Sequence, residues 1–368
     1  MKVPRKDKKK PSRKPARSPY TRRKSELFYE VTCCTGLERF VQRELRRRFG
    51  ELQTLSNARK DGEIMFEFKG AARDLLSLAT IHDPFLIIPI ESPRPRGLLE
   101  PLVYRKAIEQ IAKLRSSVAD QKFTTFSFSA AGSDTKDLKR IREAFSKSLD
   151  LPEHDQGELY MRLRKSKANP ENWELLVRIS ARPVSHRAWR VAHFRGALDA
   201  SIARVLVELV AAKKNDVFVD LMCGSGTITI EQLSFSPVKE IFAFDTSKHA
   251  LECAELNCKQ VKSKTPYTLV EGDACATELP DQSIDVIVSN PPWGESIGKK
   301  QSLGDLYRNL LKESARLLRK GGRMALIVQD IKVLNVALKE IPQLTLKETH
   351  RALQARGYHP TILLLERR

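Results

Sequence analysis

Residues 284–289, Ile-Asp-Val-Ile-Val-Ser, run directly into Asn290-Pro291-Pro292-Trp293-Gly294. The run is apolar and β-branched but too short for a helix, which predicts a buried strand of a parallel sheet. Neither proline can continue a ladder, and each pushes the residue before it into extended backbone, so the chain leaves the strand stiff. In open α/β sheets the carboxyl ends of the strands are where ligands sit. Asn290 and Pro291 bring two fixed carbonyl acceptors to that end, and Trp293 brings a broad aromatic face. Such a set suits a flat molecule with an exocyclic –NH2, whereas a plain proline-terminated strand has no need of the aromatic ring.

The flanking sequence repeats strand, helix, strand. Strands are predicted at 217–221, 240–244, 267–271, 284–289 and 323–328, with helices at 227–233, 247–260 and 305–318. An amphipathic helix at 197–212 precedes them, with Leu198, Ile202, Val205, Leu206 and Leu209 inward. A helix at 331–341 and two strands, 344–350 and 361–366 around Gly357, close the chain. This rhythm means a doubly wound parallel sheet, with a terminal antiparallel hairpin that is unusual in a dinucleotide-binding domain.

The first of these strands ends Asp220-Leu221-Met222-Cys223-Gly224-Ser225-Gly226-Thr227. Gly224 and Gly226 allow a tight turn against which a ligand can lie. As a dinucleotide fingerprint it is G-x-G-x-x-T, with Thr229 in the third glycine's place. The second strand ends at Asp245-Thr246, where an acid can hold a ribose diol. The third ends at Asp273-Ala274, where the carboxylate can accept an adenine amine. Asp220, Cys223, Gly224, Ser225, Gly226, Thr227, Asp245, Thr246, Asp273, Ala274 and Asn290 are therefore candidate contacts to an adenosine-containing cofactor. Between a nicotinamide dinucleotide and S-adenosyl-L-methionine, residues 290–293 and the terminal hairpin favour the second.

Ahead of this unit, a strand at 27–32, a helix at 36–49, a strand at 63–68, a helix at 71–80 and a strand at 85–90 predict a ferredoxin-like domain over 26–92. Pro93-Arg94-Pro95-Arg96-Gly97 marks a boundary. The segment 93–185 reads as helix 101–119, strand 122–129, helix 135–149 and the strands 158–164 and 173–180. Arg162, Arg164, Lys165 and Lys167 gather on the hairpin of those last strands. Lys136, Lys139, Arg140 and Arg142 gather on the helix before it, and Arg187, Arg190, His193 and Arg195 on the linker that follows. The formal net charge is +20, of which residues 2–24, with twelve Lys/Arg against Asp7, hold +11. That tail is too polar and proline-rich to fold alone. An excess of this size points to a polyanion as partner. The six cysteines make no C-x-x-C pair and no zinc set, and no apolar run reaches a membrane span, so a reduced cytoplasmic protein is expected.

Residues 220–227, Asp245, 272–274 and 290–294 together resemble the THUMP-domain methyltransferases that modify guanine N2 in RNA. The resemblance implies a tail at 1–25, a ferredoxin-like domain at 26–92, a THUMP RNA-binding module at 93–185 and a class I Rossmann-like methyltransferase domain at 186–368. It implies that Asp245 binds the cofactor ribose, that Asp273 binds the adenine, and that Asn290, Pro291, Pro292 and Trp293 act on the target base. Arg162, Arg164, Lys165, Lys167, Arg190 and, in the loop 294–302, Lys299 and Lys300 are the expected RNA contacts of a monomer with no metal. The sequence departs from some relatives in reading His193-Phe194-Arg195-Gly196-Ala197 where they carry His-Pro-Ala. A tRNA guanine is the expected substrate. A 23S rRNA guanine, an adenine N6 and a protein glutamine amide remain alternatives, as does an RNA-binding protein without activity.

Overall fold

The chain builds two sheets, and the side-chain alternation along each strand decides which face of each sheet is covered. The computed structural model describes residues 27–54, 61–131, 135–293, 302–353 and 359–368. The first sheet has six strands in the order β2-β1-β3-β6-β5-β4. These are β1 (Phe28–Thr32), β2 (Glu63–Glu67), β3 (Asp83–Ile90), β4 (Phe126–Ala130), β5 (Leu159–Lys165) and β6 (Trp173–Arg178). One face carries Tyr29, Val31, Leu86, Ile88, Met161, Leu163, Leu175 and Val177. It packs under α1 (Glu38–Phe49), α2 (Pro101–Ser117) and α3 (Lys136–Leu149) as one apolar cluster.

That single cluster spans the expected boundary at residue 93. β3 pairs antiparallel with β6, from Phe85 opposite Arg178 to Ile90 opposite Trp173. The two N-terminal segments are therefore halves of one sheet with a shared core. The expected helix at 71–80 is instead a 3-10 turn, Ala72–Ser77. Just beyond it, the buried carboxylate of Glu44 accepts the Ala79 and Thr80 amides and the Thr80 hydroxyl, which gives these two amides a partner other than a helical carbonyl.

The second sheet has the order β12-β13-β11-β10-β7-β8-β9. Its strands are β7 (Val217–Leu221), β8 (Glu240–Asp245), β9 (Tyr267–Glu271), β10 (Ile284–Ser289), β11 (Leu318–Val328), β12 (Leu344–Arg351) and β13 (Thr361–Arg367). β11, β10, β7, β8 and β9 run parallel, and β13 is antiparallel to both of its neighbours. The α4 (Ala200–Val210) and α5 (Thr227–Phe235) helices cover one face, while α7 (Leu303–Leu317) and α8 (Ile331–Lys339) cover the other. The α6 helix (Lys248–Cys258) packs against α5, β8 and β9. Asp199 caps α4 by accepting the Ser201 amide, so that helix starts later than its apolar periodicity predicts. No helix among the described residues is long and apolar enough to cross a membrane.

Among the described residues, two packed seams and the Arg187 guanidinium, which reaches both the Ala79 carbonyl and Glu231, are among the contacts that join the two halves. Cys34, Leu37 and Phe40, at the start of α1, belong to the same apolar cluster as α4. Arg47 on α1 pairs with buried Glu208 on α4 at 2.9 Å. At the second seam Thr35 and Leu353 form a β-bridge, and Gly36 lies against the Arg351 carbonyl. Gly36 has φ +94°, and a Cβ there would stand 2.1 Å from that oxygen, so only glycine fits.

Candidate active site at the strand ends

Parallel pairing places the ends of β7 and β10 side by side, with Ser289 opposite Leu221. The Ser289 hydroxyl donates to the Leu221 carbonyl and ties the two tips together. Beyond Leu221 the chain turns sharply. Met222 has φ +63°, unusual for a residue with a side chain, and Gly224 and Gly226 have φ +55° and +79°. The turn is held by Cys223 N–H on the Phe244 carbonyl and by Gly226 N–H on the Cys223 carbonyl, both at 2.9 Å. A side chain begun at Gly226 would press on Ala254 at 3.1 Å, so its hydrogen lets α5 and α6 approach. A side chain begun at Gly224 would meet only the Phe194 ring, at 3.9 Å, which leaves a cradle above the turn.

The acids behave differently from one another. Asp245, half-buried at the end of β8, accepts the Gly224 amide at 2.8 Å and the Ser247 amide at 2.9 Å. It thereby fixes the glycine turn and keeps further lone pairs for a ligand. Asp273 is exposed and closes its own turn by accepting the Cys275 amide at 2.8 Å. Thr246 is exposed and Ala274 is buried. Asp220 has no solvent exposure, and its Oδ2 takes the amide and hydroxyl of Thr229. Burial lifts its carboxyl to about 7, the two Thr229 bonds oppose the rise, and the nearby charge of Asp245 adds to it. Burial also holds the Cys223 thiol well above its ordinary value, so this sulfur is packing and not a nucleophile.

Asp220 Oδ1, Ser225 Oγ and Asn290 Oδ1, at this end of the sheet, are among the buried polar atoms that have no hydrogen-bond partner among the described residues. An orphaned buried acceptor is costly unless something outside the chain completes it. Asn290 follows β10 at the place where its strand neighbour β7 enters the glycine turn. Pro291 is buried, and Pro292 is half-buried. Trp293 is half-buried, with part of its indole packed on the α4–α5 cluster. The expected platform is thus a ring anchored in the core and not a freely presented face.

The basic residues singled out in the sequence separate on the structure. Arg164 is 11% exposed and is held by Glu30, Glu63 and Glu174, two of which have no exposure at all. Its charge is consumed inside the sheet, which removes it from the expected RNA contacts. Lys167 is engaged by Asp61 and Glu63, and Arg162 stands 3.6 Å from Glu63. Lys165 is exposed, over the Trp173 ring. Arg190 turns inward, donating to the Leu198 carbonyl and the Thr227 hydroxyl, with its pKa lowered by burial. Lys299, Lys300 and the loop around them lie outside the described residues, as does Gly357. On α3, Lys136, Lys139, Arg140 and Lys147 are exposed opposite the helix's apolar face. A cleft of about 840 Å³ between the first sheet and α5 is lined by Lys122, Arg182, His186, Arg187 and Arg190, a feature that depends on long-range packing and has no local sequence signal.

Comparison with known proteins places these elements. Residues 187–352 match the family described as UPF0020, RMKL-like, methyltransferase domain. The chain is 30% identical over 207 residues to mouse tRNA (guanine(6)-N(2))-methyltransferase THUMP3, covering 53% of this chain and 41% of the relative. It is 29% identical over 230 residues to the Thermus thermophilus tRNA (guanine(6)-N2)-methyltransferase, covering 62% and 67%. The crystal structure of TrmN from Thermus thermophilus superimposes with a TM-score of 0.75 at 24% identity, over 93% of this chain and all of that one. The chain thus spans about two fifths of the length of the mouse relative.

Proposed function

We propose that this chain transfers a methyl group from S-adenosyl-L-methionine to the N2 amine of a guanosine in tRNA, a reading supported by the match of residues 187–352 to the UPF0020, RMKL-like, methyltransferase domain. The observation that carries this reading is the buried Asn290 carbonyl oxygen, an acceptor without a donor among the described residues, set beside a glycine turn at the carboxyl end of a parallel sheet. The relatives support the choice of base and RNA, since both of the enzymes compared are named for guanine N2 in tRNA.

The cradle over Gly224, the carboxylate of Asp245 and the orphaned oxygens of Asp220 and Ser225 fit a ligand that carries an amine and a ribose diol. When bound, S-adenosyl-L-methionine supplies a methyl on a cationic sulfur, which departs as the neutral thioether. The chain's own work is to aim the acceptor nitrogen. Asn290 Oδ1 and the Pro291 carbonyl take the two N2 hydrogens and turn the nitrogen lone pair away from the guanine ring. Trp293, steadied by its contact with the α4–α5 cluster, supports the ring plane. Alignment of this kind lowers the barrier mainly through proximity and orientation. A strong base is unnecessary, because the methylated amine is acidic enough to lose its proton to water. The guanine must leave its helix to reach such a pocket.

The RNA backbone lies along the exposed basic face of α3 and across the cleft lined by Lys122, Arg182 and His186. The six cysteines are free, in keeping with work in the cytoplasm. Nucleosides from a strain lacking the gene test the reading. N2-methylguanosine should vanish from one tRNA position, and loss of N6-methyladenosine instead would overturn it.

A further inference from the structure

Asn257, near the end of α6, is wholly buried, and all four of its hydrogen-bonding sites are used. Its Nδ2 donates to the Ser225 carbonyl in the glycine turn at 3.2 Å and to the Ala192 carbonyl at 3.0 Å. Its Oδ1 accepts the Val191 amide at 2.9 Å and the Ala192 amide at 2.8 Å. One carboxamide therefore joins the cofactor-side turn to a stretch of linker more than thirty residues away in sequence. Arg190 fastens the same linker to Thr227 and Leu198, and the Cys253 thiol contacts the His193 carbonyl. The next residue, Phe194, is half-buried, with its ring against the space over Gly224.

We propose that Asn257 is a positioning residue for the methyl-donor pocket, holding the linker against the glycine turn so that Phe194 forms the wall above Gly224. The proposal rests on the methyltransferase reading. The physical reason is satisfiability: a carboxamide is small enough to fit between two backbones and offers two donors and two acceptors in one plane. Neither backbone segment is otherwise tied to the other at these atoms. Loss of the side chain takes the carboxamide from the Ala192 amide and from the Ala192 and Ser225 carbonyls, leaves the Val191 amide only its bond to the Trp189 carbonyl, and lets the linker relax away from the turn. Asn257 touches no ligand in this account and acts only through Phe194 and the turn.

Isothermal titration of the full chain with S-adenosylhomocysteine tests it. Asn257→Ala should weaken binding about tenfold, the scale expected when buried backbone bonds are orphaned. Phe194→Ala, on a half-buried ring and so harmless to folding, should weaken it by about threefold. The double variant should bind within about twofold of Asn257→Ala alone, because the wall is already displaced. A purely structural Asn257 would lower the melting temperature but leave the two effects multiplying, and that result overturns the proposal. Should Asn257→Ala not fold, hydrogen exchange on the wild-type chain decides. S-adenosylhomocysteine should slow exchange at the Val191 and Ala192 amides together with residues 223–226, and unchanged protection at 191–192 overturns the proposal. A wild-type chain that does not bind S-adenosylhomocysteine refutes the methyltransferase reading itself, a result distinct from wild-type binding that the variants leave unaltered.

Discussion

Asp220 lies within β7 opposite Val288, Asn290 follows the end of the paired strand β10, and their environments divide the labour between them. Asn290 presents a neutral acceptor that nothing among the described residues completes. Asn290→Ala should cut turnover by about 10²–10³, the usual cost of losing one aimed hydrogen bond in a transition state, while cofactor affinity changes little. Initial-rate kinetics beside calorimetry separate the two effects. Asp220, raised to about 7 by burial, holds a proton in the folded chain that the unfolded chain releases near pH 4. Its contribution to stability is therefore present below the unfolded pKa and is lost as pH rises through about 7. Between pH 5 and pH 8 the melting temperature of Asp220→Asn should gain on that of the cofactor-free wild type. A constant gap would show that the carboxyl titrates normally. The type of each residue was legible in the sequence, because strand-end acids and a strand-end Asn-Pro-Pro announce themselves by spacing. Which carboxylate is protonated was not, because burial is a property of the packed sheet.

At the level of elements, the basic hairpin β5–β6 shows where charge reading fails. Alternation along β5 sends Arg162 and Arg164 to the face away from the helices, and nothing local reveals that Glu30, 134 residues earlier, waits there. Arg164 lies at the centre of three carboxylates, with its own charge reinforced by them. Arg164→Met should cost ~3–5 kcal/mol in urea unfolding, because it leaves buried carboxylates without their cation. Arg162→Ala, at a more exposed pair, should cost about 1 kcal/mol or less. Equal effects would mean that the cage is not closed in solution. The strands and helices of the second sheet were readable within a few residues, since parallel strands buried on both faces spell themselves as apolar runs. The 3-10 turn after β2 was not, because the carboxylate that takes the amides just past it belongs to Glu44 on another element. The shared sheet of the N-terminal half was equally hidden, since the β3–β6 pairing joins segments about ninety residues apart.

Across the whole molecule, packed seams among the contacts between the first sheet and the second hold the basic face of α3 and the tip of β10 in one frame. Gly36 sits in the tighter seam. Gly36→Ala should destabilise that seam by more than the ~1–2 kcal/mol of a left-handed backbone alone, because the new Cβ also meets the Arg351 carbonyl. Calorimetry should then show one cooperative transition for the wild type and a broadened or divided one for the variant, and unchanged melting would contradict the close approach. RNA turnover in that variant should fall more than S-adenosylhomocysteine affinity, since the pocket is intact and only its distance from the RNA-binding face changes. The central claim is that the Asn290 side-chain carbonyl, unpartnered among the described residues and beside the glycine turn, selects a guanine amine. Its most direct test is methyl transfer by the purified chain from labelled S-adenosyl-L-methionine to unmodified tRNA transcripts, with the product nucleoside identified by mass spectrometry. The wild type should yield N2-methylguanosine and Asn290→Ala almost none. Label recovered as N6-methyladenosine, or N2-methylguanosine formed equally well by both proteins, would contradict the account.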